Sequence, residues 1–331
     1  MQVTGKTKAV NSPEKPSPDK AVVIKIDECH QDQRLDNFLA SLCKGVPKNH
    51  VFRIIRSGEV RVNSKRAEAK TKLNCGDLVR VPPIKTLEKQ VDAELSLKAA
   101  AEIPILFEDA HLLVVNKPSG IAVHGGSGHS LGLIECLRES RKNIHEDLAL
   151  VHRLDRETSG VLVISKKRSA LRVLQEQLRA RSWKKFYQTL VLGAWPKSLR
   201  QVDLPLLKTQ ASEKEARVFV SEEGDKASTK FSIIQNYKLN NSDLTLIRAQ
   251  ILTGRTHQIR VHTSASQFPI AGDDRYGHFD FNKQLLKAGL KRMFLHAATL
   301  QIVHPATHEE MVLEAALPPE LDRFLNTLKV V

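Results

Sequence analysis

The sequence predicts an α+β protein of two folded units, a small helix-helix-strand module followed by a larger mixed, mostly antiparallel sheet flanked by helices. Three observations predict it. Leu35, Phe38, Leu39 and Leu42 recur at the i, i+3, i+4, i+7 spacing of a one-sided helix. Beyond residue 103, short apolar runs at 112–115, 161–164, 189–192, 244–251 and 299–303 outnumber the helical patterns. Residues 84–102, between the two, carry no strong period and read as a linker.

Taken in order, residues 1–20 are rich in Lys, Pro and Ser and read as a flexible basic tail that cannot repay the entropy of ordering. The first unit, residues 21–83, opens its helical pattern at Arg34 and stops it at Gly45. Pro47 suits the start of a second short helix with Val51, Ile54 and Ile55 facing inward, ended by Gly58. Val60 and Val62 alternate as a strand, Asn63-Ser64 reads as a turn, and residues 78–81 form a closing strand before Pro82-Pro83. In the large unit, residues 103–331, Leu171, Leu174 and Leu178 mark one helix face, and a second helix is expected from about Thr256 through the HQIRVH segment.

Charge narrows the partners. Lys plus Arg number 51 against 37 Asp plus Glu, a formal net charge of +14, so a polyanion is the expected partner. Nucleic acid is preferred to membrane, because no run approaches the roughly 20 apolar residues of a spanning helix. The opening MQVTGKTKAVNSPEKPSP lacks the apolar core of a secretory signal, which predicts a cytoplasmic protein. Lys44, Lys48, Arg53, Arg56, Arg61, Lys65, Arg66, Lys70 and Lys72 cluster in the first unit and read as a phosphate-binding face. Cys29, Cys43, Cys75 and Cys136 form no CxxC pair and are expected to be buried or inert thiols.

Four segments of the large unit place polar residues beside glycine or at strand ends. NKPSGIAVHGGSG, 116–128, matches neither GxxxxGK[ST] nor GxGxxG and reads as a shaped loop, not a nucleotide cradle. VHRLDRETSGVLVIS, 151–165, sets Asp155 two residues after Arg153 and just before an apolar strand. Alone, such an Asp reads as a loop acceptor. KKFYQTLVLG, 184–193, carries Tyr187 on a strand, and LTGRTHQIRVH, 252–262, gathers Arg255, His257, Arg260 and His262, with His257 and Arg260 expected on one helix face. His152, His257, His262 and His296 lack HExxH spacing and have arginines for neighbours, so hydrogen-bonding roles are expected and no metal.

The segments RLDNFL, FRIIRSGEVRVNSKR and GDLVRV together resemble the S4 RNA-binding module, and HRLDRETSG resembles a signature motif of the RluA family of pseudouridine synthases. GDKASTKFSII, PIAGDDRYG and FLHAATLQIVHP extend that resemblance over about residues 103–317. Gln267-Phe268 departs from the Gly-His usual before the Pro-Ile step, which leaves the pocket rim in question.

The resemblance implies an isomerase that turns specific uridines of large-subunit (23S) ribosomal RNA into pseudouridine, several of them near the peptidyl-transferase centre. A variant of the reading confines the targets to one stem-loop. It implies Asp155 as the catalytic carboxylate, Arg260 paired with it and Tyr187 against the base. Arg153 is the expected wedge behind a flipped base, with His152, Arg255 and His257 beside it. Lys48, Arg53, Arg56, Arg61, Lys65 and Arg66 are the expected S4 contacts. No cofactor is implied, and a monomer acting on rRNA or an assembling subunit is expected. Nucleophilic and glycal routes stay open. A non-catalytic RNA-binding or assembly factor is the competing class, with a metal-dependent hydrolase behind it.

Overall fold

The computed structural model describes residues 20–43, 46, 48–84, 103–125, 132–141, 147–209 and 217–331. The sequence readings on residues 1–19, Lys44, Gly45, Pro47, the linker 85–102 and loop residues 126–128, and on the Cys29 and Lys48 side chains, lie outside what is described. Contacts divide the chain into two units, Met1–Gln90 and Val91–Val331.

In the first unit, α1 (Leu35–Leu42) and α2 (Lys48–Arg56) pack on a sheet of β1 (Val22–Lys25), β2 (Arg61–Val62), β3 (Lys65–Arg66) and β4 (Leu78–Val81), ordered β1-β4-β2-β3. Leu35, Phe38, Leu39, Val51, Ile54, Val60 and Val79 make the core, as the periodicity requires. Asn63 and Ser64 both take positive φ, 50° and 66°, the backbone twist that a two-residue hairpin needs. Order begins before Arg34: β1 pairs Val22 with Val81 and Lys25 with Leu78, and its contribution depends on a partner more than fifty residues away.

The second unit is built on β5 (Ile105–Glu108), β6 (Leu112–Lys117), β7 (Ala149–Leu150), β8 (Ser159–Ser165), β9 (Lys184–Leu192), β10 (Gln201–Val202), β11 (Leu206–Lys208), β12 (Val218–Val220), β13 (Thr229–Leu239), β14 (Ser242–Ile251), β15 (Leu295–Val303), β16 (Glu310–Glu314) and β17 (Lys329–Val330). One eleven-stranded sheet runs β10-β13-β14-β9-β15-β8-β6-β5, with β16, β17 and β7 as side branches; β11 and β12 form a separate pair. Every pair in the large sheet is antiparallel except β8 with β15. Helices α3 (Leu133–Ser140), α4 (Arg168–Arg179), α5 (Gln258–Ala265), α6 (Phe279–Lys287) and α7 (Pro319–Asn326) flank it. This is the mixed, mostly antiparallel α+β architecture that the sequence predicts.

The centre of the sheet positions the site. On β15, Ala297 faces Gly160 of β8 on one side and Tyr187 of β9 on the other, so three strands share one row. Gly160 sits at φ 116°, and a Cβ there would stand 2.1 Å from the Ala297 carbonyl oxygen. Only glycine permits the backbones to meet this closely, which gives the TSG step a structural cause. Both faces of this region are apolar: Leu113, Leu162, Ile164 and Ile247 pack on one, Val114, Val163, Leu174 and Leu300 on the other.

Candidate active site

A cleft of about 500 Å³ is lined by the 151–158 loop, by β9 and by residues 251–260. Asp155 lies on the loop entering β8, with a side chain 21% exposed. The loop is braced from beneath. Lys117, fully buried at the end of β6, donates to the carbonyls of Pro118 (2.9 Å), Ile121 (2.8 Å) and Arg156 (3.0 Å). Burial pushes its ammonium down to about 7. Ser119 Oγ donates to the Glu157 carbonyl at 2.8 Å, Gly120 N to the Arg156 carbonyl at 2.9 Å, and Arg156 Nε returns a bond to the Gly120 carbonyl at 2.9 Å. Arg292 Nη2 reaches the Glu157 carbonyl (3.3 Å) and Ser159 Oγ (2.8 Å). The NKPSG turn is therefore a support for the Asp155 loop, as its lack of a phosphate-loop pattern allows.

Arg260 does not hydrogen-bond Asp155. Its Nε and Nη2 grip Asp273 in a two-pronged pair at 2.7 and 2.8 Å, and its Nη1 stands 3.8 Å from Asp155 Oδ2. Asp273 is fully buried and also accepts from the Arg275 and Tyr276 amides at 2.9 and 3.0 Å. These donors hold its carboxyl below the usual carboxylate range against the opposing effect of burial. The Tyr276 ring lies 5.0 Å from the Arg260 guanidinium carbon. Two coordinates of one site were thus absent from the sequence reading, although both stand in the PIAGDDRYG segment.

His257 corrects a second expectation. Helix α5 begins at Gln258, and His257 precedes it at φ 53°, so it does not share a helix face with Arg260. The left-handed turn aims the ring back at the loop. Tyr276 Oη accepts from the Val218 amide (3.0 Å) and shares a hydrogen bond with His257 Nδ1 (2.8 Å), while His257 Nε2 stands 3.9 Å from Asp155 Oδ2. Burial, opposed by Asp155 and aided by Arg260 and Arg275, pushes His257 down to about 4. The Asp155 carboxylate itself makes no hydrogen bond among the described residues.

Tyr187 is buried on β9 and lines the cleft; burial, reinforced by the Asp155 charge, pushes its phenol upward, so it is protonated at neutral pH. Arg153 is exposed on the rim with no side-chain partner among the described residues. Arg255 is engaged elsewhere, with Nη1 on Asp225 Oδ2 at 3.0 Å and Nε on the Lys226 carbonyl at 3.2 Å. His152 is a wall, not a free ligand: its Nε2 accepts from the Val163 amide at 3.0 Å and its ring meets Trp183 edge-on at 5.3 Å. Burial holds it neutral.

The four histidines do not converge. His262 sits between Thr229 and the Leu204 carbonyl, and His296 between Ser159 and the Ala315 carbonyl. Among the described residues no group of three His, Cys, Asp or Glu side chains is arranged to hold a metal ion. Phe268 is half-buried and packs on Trp195 at 5.1 Å, and Gln267 is exposed; neither lines the cleft, so the Gln267-Phe268 departure does not fall on the pocket rim. In the first unit Arg53, Arg56, Arg61, Lys65 and Arg66 are all exposed; of the thiols expected to be buried or inert, Cys43 and Cys136 are buried and Cys75 is exposed.

Residues 111–265 match the family model described as RNA pseudouridylate synthase, and residues 33–79 match the S4 domain. Over 315 residues the chain is 50% identical to ribosomal large subunit pseudouridine synthase C of Salmonella typhi and of Escherichia coli K12, covering 94% of this chain and 97% of each relative. The Pasteurella multocida protein of the same name is 48% identical over 310 residues, 93% of this chain and 94% of its own. The solved structure of human RNA pseudouridylate synthase domain containing 4 superposes with a TM-score of 0.58 at 28% identity, over 72% of this chain and 98% of that one.

Proposed function

We propose, for a chain that belongs to the RNA pseudouridylate synthase family, that it isomerises uridine to pseudouridine in large-subunit ribosomal RNA with Asp155 as the reacting carboxylate. The observation that carries the reading is a carboxylate facing a cleft with neither oxygen hydrogen-bonded among the described residues, while Arg260 and His257 stand 3.8 and 3.9 Å away. A structural Asp would be satisfied by its neighbours. This one is held in place through its backbone and left open at its head.

The reaction breaks the bond from ribose C1′ to uracil N1, turns the base, and joins C1′ to C5; the C5 proton leaves and N1 gains one, so nothing is oxidised. Asp155 answers the positive character that develops at C1′, by a covalent bond or by assisting a glycal. Arg260, anchored on Asp273, fixes the direction of approach. Tyr187 is a protonated, apolar-faced platform for the uracil. Extruding the base costs a few kcal/mol, and Arg153 is free to fill the vacated stack with its planar guanidinium. The exposed cations Arg53, Arg56, Arg61, Lys65 and Arg66 supply sequence-independent affinity. On this reading the partner is 23S rRNA or an assembling large subunit, bound by a single copy of the chain in the cytoplasm.

Carbodiimide labelling with primer extension on rRNA from cells with and without the gene tests the proposal. Pseudouridine is expected to disappear from separated large-subunit positions and to return with wild type but not with Asp155→Asn. An unchanged map would leave only an RNA-binding role.

A further inference from the structure

The cleft holds a cation that the reaction as described does not use. Strand alternation places Lys185 on the same face of β9 as Tyr187, two residues nearer the start of the strand and about 6.8 Å along it. Trp183, one more step along, closes that end, with the Lys185 ammonium 5.3 Å from its ring. Lys185 has no hydrogen bond and no ion pair among the described residues. It is half-buried, and because every fully enclosed side-chain nitrogen or oxygen among the described residues has a partner, its Nζ opens onto the cleft. Arg153 and Arg181, whose side chains likewise make no hydrogen bond or ion pair among the described residues, line the same pocket, in which Asp155 is the single acid among the described lining residues.

A half-buried ammonium without a counter-charge is unfavourable unless a ligand supplies one. Desolvation pushes Lys185 down to about 8, so its surroundings alone do not favour the charged form. Its offset from Tyr187 is comparable to the reach from a nucleobase to the phosphate of its own or the adjoining nucleotide, so an RNA strand delivering a uracil to Tyr187 carries a phosphate past Lys185. We propose that Lys185, flanked by Arg153 and Arg181, is the binding site for a backbone phosphodiester next to the flipped uridine. This rests on the reading of the cleft as the uridine site. The contact pins the strand after flipping and so acts on substrate affinity, not on the bond-making step.

The test is Lys185→Met in the full chain, with Lys185→Arg beside it and Lys185→Gln in reserve should the Met protein not fold. Tritium release from C5-labelled 23S rRNA transcript gives kcat and KM, and filter binding of the same transcript over a salt series gives the electrostatic slope. Expected are a KM about tenfold higher, as the loss of one charge-assisted phosphate contact requires, a salt slope shallower by about 0.7 to 0.9, kcat within about twofold, and restoration by Arg. Unchanged KM and slope, or a fall in kcat alone, would overturn the inference. If wild type releases no tritium, the isomerase reading fails instead, and the difference in binding slope between wild type and Lys185→Met still decides the phosphate site.

Discussion

Arg260 gives its two parallel donors to Asp273 at 2.7 and 2.8 Å and reaches Asp155 with a third nitrogen at 3.8 Å. The guanidinium is thereby held by a buried residue that does not line the cleft. On the proposed mechanism Asp273 is a positioning residue, which fixes the cation that stands beside Asp155.

Asp273→Asn keeps the shape and removes the charge. Breaking a buried ion pair from one side costs roughly 3–5 kcal/mol, which urea unfolding will register as a lower midpoint. In the folded fraction kcat is expected to fall by about 10- to 100-fold with RNA affinity little altered, measured by tritium release and filter binding. A change in affinity without one in kcat would remove Asp273 from this role.

Lys117 makes stability depend on pH. Its folded value of about 7 lies below the usual 10.5, so between those limits the unfolded chain binds more protons, and stability rises with pH. From pH 7 to pH 9 its contribution is about 2 kcal/mol. Lys117→Met is expected to abolish that increment while lowering stability overall, because three loop carbonyls lose their donor. Denaturant unfolding of both proteins at the two pH values checks it.

The Arg53, Arg56, Arg61 and Arg66 side chains stand exposed in the first unit. Replacing all four with Gln should reduce the slope of log affinity against log salt by about 3, at 0.7 to 0.9 per phosphate contact. Fluorescence anisotropy on an rRNA fragment measures it. An unaltered slope would mean that the phosphates are met elsewhere.

Gly160→Ala forces a side chain into a 2.1 Å approach at positive φ. A loss of at least about 3 kcal/mol is expected from strain and separation of β8 from β15, read from thermal unfolding. Retained stability would show that the strands part without penalty.

Much of this was visible in the order of residues. The closing strand at 78–81, the Leu171, Leu174, Leu178 face and the apolar centres of β6, β8, β9, β14 and β15 follow from local period, and local period is what a linear reading captures. The Asp155 loop was visible because its polar residues are contiguous. Asp273 and Tyr276 were not, since a pairing across thirteen or sixteen residues leaves no periodic trace and becomes specific only when α5 and the following loop fold together. His257 was misplaced for the opposite reason. It continues the polar pattern of α5, but its left-handed backbone lies outside the helix, and nothing in a His-Gln-Ile-Arg string announces positive φ. β1 escaped because four residues after a basic tail acquire strand character only from β4.

The row Gly160, Ala297, Tyr187 has a bearing on how this protein could change over time. Neighbouring strands lie about 4.8 Å apart, so the backbones entering the Asp155 loop and carrying Tyr187 are separated by two inter-strand intervals that main-chain hydrogen bonds set. So long as position 160 is glycine, no side chain in this row tunes that interval. Substitutions in the surrounding apolar layers alter how firmly the gauge is held but not its length. The spacing between the Asp155 loop and Tyr187 is thus insulated from drift in the core, leaving the rim and the first unit open to diversify toward other RNA targets while the spacing that the proposed chemistry relies on is kept.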